Sequence, residues 1–111
     1  MRQALDASQP SRAEVDATAG PVVLEFGAVW CGHCRNLAPT LASLLVAHPA
    51  VRHVRVEDGP GLPLGRSFGV KLWPTLVFLN DGRALQQLAR PGAAAVRAGL
   101  NLIDPVAGEG T

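Results

Sequence analysis

Trp30-Cys31-Gly32-His33-Cys34 is the stretch that decides how the rest of the chain is read. It holds both cysteines of the chain, with two residues between them. An apolar run, Pro21 to Phe26, precedes it, and a segment with apolar residues at helical spacing follows. The pair therefore stands at a strand-to-helix junction. A helix N-terminus offers unpaired N–H groups and a partial positive charge, and both favour thiolate over thiol. Residues three apart on a helix share a face, with about 5–6 Å between Cβ atoms. A disulfide needs about 3.5–4.5 Å, so a small adjustment lets the pair switch between dithiol and disulfide without refolding.

Outward from this centre, Val22-Val23-Leu24-Glu25-Phe26 reads as a strand buried on both faces. A helix is predicted from Cys31 to Ala47, with Leu37, Leu41, Leu44 and Leu45 on one stripe. Pro39 lies inside it and predicts a kink, and His48-Pro49 ends it. Val51 to Val56 is a second strand, closing a β-α-β unit expected to be parallel and right-handed. Asp58 to Gly65, rich in Gly and Pro, reads as loop, followed by a short helical turn near Phe68. Thr75 to Leu79 is a strand, Asn80-Asp81-Gly82 a tight turn of the primed type, and Arg83 to Ala89 its antiparallel return. Ala93 to Ile103 predicts a closing helix with Val96, Leu100 and Ile103 on one face. Near the start, Ser11 to Ala19 predicts a helix with Ser11 and Glu14 as a capping box, and Ala4 to Asp6 a short edge strand. Residues 1–10 and 105–111 are weakly patterned and are expected to be loose ends of one domain spanning residues 1–111. The predicted class is α/β, a mixed central sheet with helices on both faces.

The chain of 111 residues suffices for one domain with a real core. Its net charge of +1 gives no electrostatic case for nucleic acid or an acidic membrane surface. No apolar run approaches the roughly 20 residues of a membrane span, and Met1 to Gly20 has no apolar leader core. The expected location is the cytoplasm. Two cysteines are too few for a disulfide-stapled scaffold, and a CxxC beside a β-α-β pattern in a reducing compartment reads as redox. Zinc wants four ligands; the chain supplies two thiols, His33 cannot easily converge with both, and His48 and His53 look distant. No metal is expected.

Four landmarks together carry a family resemblance: the strand end Glu25-Phe26, six residues before Cys31; the Trp30-to-Cys34 centre; Pro39, five residues after Cys34; and Trp73-Pro74-Thr75 ahead of the last hairpin. The turn ending at Gly82 fits with them. On these residues, from Val22 to Gly82, the chain resembles the thioredoxin family. The resemblance implies the thioredoxin fold and a cis Pro74 set against the cysteine pair. Without it, a trans proline opening a strand is the default. It also implies thiol–disulfide oxidoreductase activity in cell redox homeostasis and electron transport. Cys31 and Cys34 would form the redox-active disulfide. Cys31, nearer the helix start, is the expected nucleophile and the more exposed thiol; Cys34, one turn in, is the resolving thiol. A couple made of protein thiols needs no cofactor.

Around the pair, Gly32, His33 and Arg55 are read as tuning residues. Cys-Gly-His-Cys resembles the protein disulfide isomerase centre, whereas typical thioredoxins carry Pro in place of His33. A protonated His33 would stabilise the Cys31 thiolate; the plainer reading is a solvated histidine without redox effect. The potentials of thioredoxin and the isomerase, about −270 and about −180 mV, differ by roughly 4 kcal/mol for two electrons. A more oxidising couple than a typical thioredoxin is expected. Glu25 is an acid in an apolar strand. The resemblance places it beneath the cysteines, where it takes the proton of Cys34 during exchange; the alternative is a satisfied core acid paired with Arg55. Arg55 falls where the family has a lysine partner for this acid, and a permanent charge should hold Glu25 ionised more firmly.

Trp30, Trp73, Pro74 and Thr75 are the candidate substrate-binding residues, with a core role as the alternative for Trp73. Gly27 stands where the family usually has an aromatic, so a more open site is expected there. Arg90-Pro91 replaces a rim glycine, and Asp58 to Gly65 replaces a regular helix. The leading expectation is a monomeric protein-disulfide reductase acting on proteins with disulfides or dithiols and recharged by a partner reductase. The alternatives are a disulfide oxidase or isomerase, and a non-redox binding module or assembly chaperone that holds a peptide edge beside Pro74.

Overall fold

The computed structural model describes residues 9–105. Helix α1 (Arg12–Asp16) begins at Ser11, whose hydroxyl accepts the Glu14 N–H while the Glu14 carboxylate accepts the Ser11 N–H. That is the expected capping box. The helix stops at Asp16, earlier than the predicted Ala19, because Thr18 turns its hydroxyl back onto the Glu14 carbonyl and Gly20 takes a positive φ of 81°. Strand β1 (Pro21–Gly27) is buried on both faces, as its uninterrupted apolar run requires. Helix α2 (Gly32–Leu45) contains Pro39, and its Leu37 and Leu41 are buried while Leu44 and Leu45 lie partly covered. Strand β2 (Arg52–Glu57) follows, then a short helix α3 (Pro63–Ser67). This last element corrects the reading of Asp58 to Gly65 as loop throughout. Its five residues open on a proline and include Gly65, too short and too broken for a periodic signal.

Strand β3 (Thr75–Asn80) turns into β4 (Arg83–Ala89) through Asp81 and Gly82, with φ of 52° and 79°. Positive φ at both central residues is the type I′ turn that Asp-Gly favours. Helix α4 (Ala93–Ile103) closes the fold with Val96, Leu100 and Ile103 buried, within the predicted bounds. The sheet order is β2-β1-β3-β4, with β1 and β2 parallel and the other pairs antiparallel. The suggested strand at Ala4 to Asp6 lies outside the described residues.

The two faces of the sheet bury separate cores. Val22, Leu24, Phe26, Val54, Val56, Val77 and Leu79 face α1 and α3. Val23, Leu76 and Phe78 face α2 and α4 with Leu37, Leu41, Val96 and Leu100. Period-two alternation therefore sends Glu25, between Leu24 and Phe26, to the same side as Val23. That side carries the helix that starts with the cysteines.

Candidate active site

Between β1 and α2 the chain makes a turn in which the Cys31 N–H bonds the Ala28 carbonyl at 3.1 Å. Cys31 is the N-cap of α2, with extended backbone, and its Sγ accepts the Cys34 N–H at 3.2 Å. A sulfur thus occupies the place where a serine or aspartate oxygen normally satisfies the first orphan donors of a helix. Both cysteines are free thiols. Both are buried, Cys31 at 6% exposed slightly less so than Cys34 at 3%, the order expected of nucleophile and resolving thiol, and they pack in a small cluster with Ala28 and Trp73. The expected opening at Gly27 is absent. A Cβ on Gly27 would lie 2.6 Å from Cys34 Sγ, so the resolving sulfur sits against the bare backbone of β1.

The two thiols are pushed in opposite directions. Burial works to raise the Cys31 pKa, but hydrogen bonds from the Cys34 side chain, from the Cys34 and His33 backbone N–H groups, and the charge of Arg90 bring it below its ordinary value. Burial first, then the thiol's donation to Cys31, then the charges of Cys31 and Glu25, push Cys34 up to about 11. One thiol is shifted toward its thiolate and the other toward its protonated form, which is the division a nucleophile and a resolving thiol need. His33 acts here through its backbone N–H; its imidazole is exposed.

Glu25 is 4% exposed and its charge bears on Cys34. Its closest partner is not Arg55. His53 Nε2 lies 2.7 Å from Glu25 Oε1, whereas Arg55 Nε stands at 3.7 Å on a side chain that is 67% exposed. The pairing with Arg55 is thus a loose, screened contact, and the buried acid is held by a histidine. The register explains both: Val23 lies beside His53 and Glu25 beside Arg55 on the parallel neighbour strand.

The far wall is the β3 approach. The Trp73–Pro74 bond is cis. The Thr75 hydroxyl donates to the Leu72 carbonyl at 2.6 Å and is buried, so this side chain shapes the turn from within. Arg90, at φ 51°, bonds the Pro74 carbonyl through its N–H and the Trp73 carbonyl through Nε, both at 2.8 Å. Trp73 is half-buried, and its indole N–H donates to Asp58 at 2.9 Å. Trp30 stacks edge-on against it, ring centres 5.4 Å apart, and is itself 68% exposed. Beside Pro74 a groove of about 210 Å³ runs between His33, Asn36, Thr40, Arg90 and Gly92.

The sequence therefore placed Cys31, Cys34, Glu25, Trp30, Trp73, Pro74 and Gly32, at the start of α2, around one centre. It missed His53 and the part of Arg90. His53 was legible only through the β1–β2 register, and Arg90 only through a positive φ that brings its charge back over the cysteines. Among the described residues, no group of three or more His, Cys, Asp or Glu side chains converges to hold a metal ion, and no helix is long and apolar enough to cross a membrane.

The family model for thioredoxin matches residues 5–99. The chain belongs to the thioredoxin family. Thioredoxin 2 from Pseudomonas aeruginosa PAO1, in its reduced form, superposes with a TM-score of 0.77 at 49% identity, covering 93% of this chain and 96% of that one. Protein disulfide-isomerase A2 of Pongo abelii is 45% identical over 65 residues, 55% of this chain but 12% of the isomerase. Thioredoxin from Alicyclobacillus acidocaldarius is 37% identical over 71 residues, 61% of this chain and 66% of that protein. The chain spans less than two thirds of the length of these curated relatives. As a domain it is a thiol–disulfide oxidoreductase of thioredoxin type, with its Cys31-x-x-Cys34 pair at the family's site.

Proposed function

We propose that this thioredoxin-family protein reduces and exchanges the disulfides of other proteins. The Cys31 thiolate attacks one sulfur of a substrate disulfide. A Cys31–substrate bond forms, the substrate S–S bond breaks, and one substrate thiolate leaves. Cys34 then gives its proton to Glu25 and attacks Cys31 Sγ. The Cys31–Cys34 disulfide forms, the mixed disulfide breaks, and the second substrate thiolate leaves. Two electrons have passed from the dithiol to the substrate, and the reverse run oxidises a dithiol.

The observation that carries this reading is the paired thiols at the helix cap, where Cys31 Sγ accepts the Cys34 N–H and the two pKa values are moved in opposite directions, Cys31 down and Cys34 up to about 11. A module that only held peptides would need neither thiol. The substrate is proposed to lie along the groove beside Pro74, with the exposed Trp30 face, rather than the anchored Trp73 edge, meeting its apolar residues. We read the protein as a cytoplasmic monomer recharged by a partner reductase. Isomerase-like Gly32-His33 between the cysteines favours a potential above that of a typical thioredoxin.

Reduction of insulin disulfides by dithiothreitol, followed by turbidity, tests the proposal. The native protein accelerates it, Cys31→Ser abolishes the effect, and Cys34→Ser accumulates a mixed disulfide. No acceleration by the native protein would return the binding-module reading.

A further inference from the structure

Glu25 has to be emptied as well as filled. If Cys34 hands its proton to this carboxylate in each cycle, a side chain 4% exposed must pass that proton on before the next. Its polar partners among the described residues are His53 at 2.7 Å and Arg55 at 3.7 Å. Arg55 is permanently protonated and cannot accept a proton. His53 can, because a neutral imidazole takes a proton at one nitrogen and releases one from the other. Its side chain is 28% exposed, so one ring meets both the buried acid and water. It stands on β2, which has no further strand beside it among the described residues.

We propose that His53 is the proton outlet of the active site, a positioning residue that acts through Glu25. Cys34 gives its proton to the Glu25 carboxylate as its thiolate attacks Cys31. The carboxylic acid passes a proton to His53 Nε2, and the imidazole releases one from Nδ1 to solvent. The net transfer is one proton from Cys34 to water, and no electrons move in the relay. The groups facing the His53–Glu25 pair are Arg55 from β2, the Cys34 sulfur from α2, and the apolar Leu76 opposite Glu25 on β3. His53 is thus the titratable group that joins this acid to the surface.

The proposal rests on the two-step exchange described above, and the test separates the two. Formation and resolution of the mixed disulfide with a peptide disulfide are timed by rapid quench between pH 5 and 9 for native protein, His53→Gln and His53→Ala. Formation keeps its native rate in all three. Resolution slows about a hundredfold in both variants, the low end for losing a proton-transfer group, and its pH profile departs from the native one. Added free imidazole restores resolution in His53→Ala in proportion to its concentration. Glutamine keeps a hydrogen bond to Glu25 but cannot relay a proton. Native resolution rate and pH profile in His53→Gln would overturn the proposal and leave His53 a structural partner. A native protein that never forms the mixed disulfide would instead overturn the exchange reading itself.

Discussion

His33 shows how a backbone atom and a side chain at one residue can be told apart. Its N–H is one of the donors that lower the Cys31 pKa, while its imidazole is exposed. Replacing it with proline, the usual thioredoxin residue, removes both, because proline has no N–H. Replacing it with alanine removes only the ring. His33→Pro is therefore expected to make the couple more reducing, and His33→Ala to shift it in the same direction by less than half as much. Equilibration with glutathione measures both potentials; equal shifts would assign the whole effect to the imidazole. The tryptophans divide similarly. Trp73 is tied to Asp58 through its indole N–H, whereas Trp30 offers its face to solvent. An aromatic contact adds about 0.5–1.5 kcal/mol beyond burial, so Trp30→Ala should lower a preference for Leu over Ser beside the substrate cysteine by about fivefold. Competition between two such peptide disulfides reads it, and an unchanged ratio would place substrate away from this ring.

At the scale of elements, helix α4 lies so close to the sheet that Gly99 has no room for a side chain. A Cβ there would meet the Phe78 ring at 2.7 Å, and that ring is fully buried. Helix propensity alone says that Gly99→Ala should stabilise by about 1 kcal/mol. Overpacking a buried ring costs about 1–3 kcal/mol, and the packing is expected to win. The urea midpoint of the reduced variant should fall with an unchanged slope; a higher midpoint would mean that Phe78 turns aside freely. The C-terminal end of the helix is pinned as well. Asp104, just past α4, receives His48 Nδ1 at 2.9 Å from just past α2. The two helices on the active-site face are thereby joined at the end away from the cysteines.

Across the whole molecule, what was legible in the sequence followed from short-range rules. The capping box at Ser11, the buried run of β1, the Asp-Gly turn and the apolar face of α4 each need only a few neighbouring residues to read. The cysteine motif, the acid and the cis proline were legible through spacing and resemblance. What escaped depends on distance in three dimensions. His53 reaches Glu25 across a strand register, Arg90 returns over the site from the far end of β4, and Cys34 fills the space at Gly27. The pKa split between the cysteines is likewise a property of the assembled fold, since it draws on the burial of both thiols, Glu25 of β1, the N-terminus of α2 and Arg90 beyond β4. It should vanish on unfolding. The most direct test is iodoacetamide labelling of the reduced protein across pH, read residue by residue by mass spectrometry, folded and in concentrated urea. The account predicts that in the folded protein Cys31 reacts first, with a midpoint below the ordinary 9.0, while Cys34 stays unreactive until pH approaches about 11. In urea the two curves merge. Equal reactivity of both thiols in the folded state, or labelling of Cys34 ahead of Cys31, would contradict it.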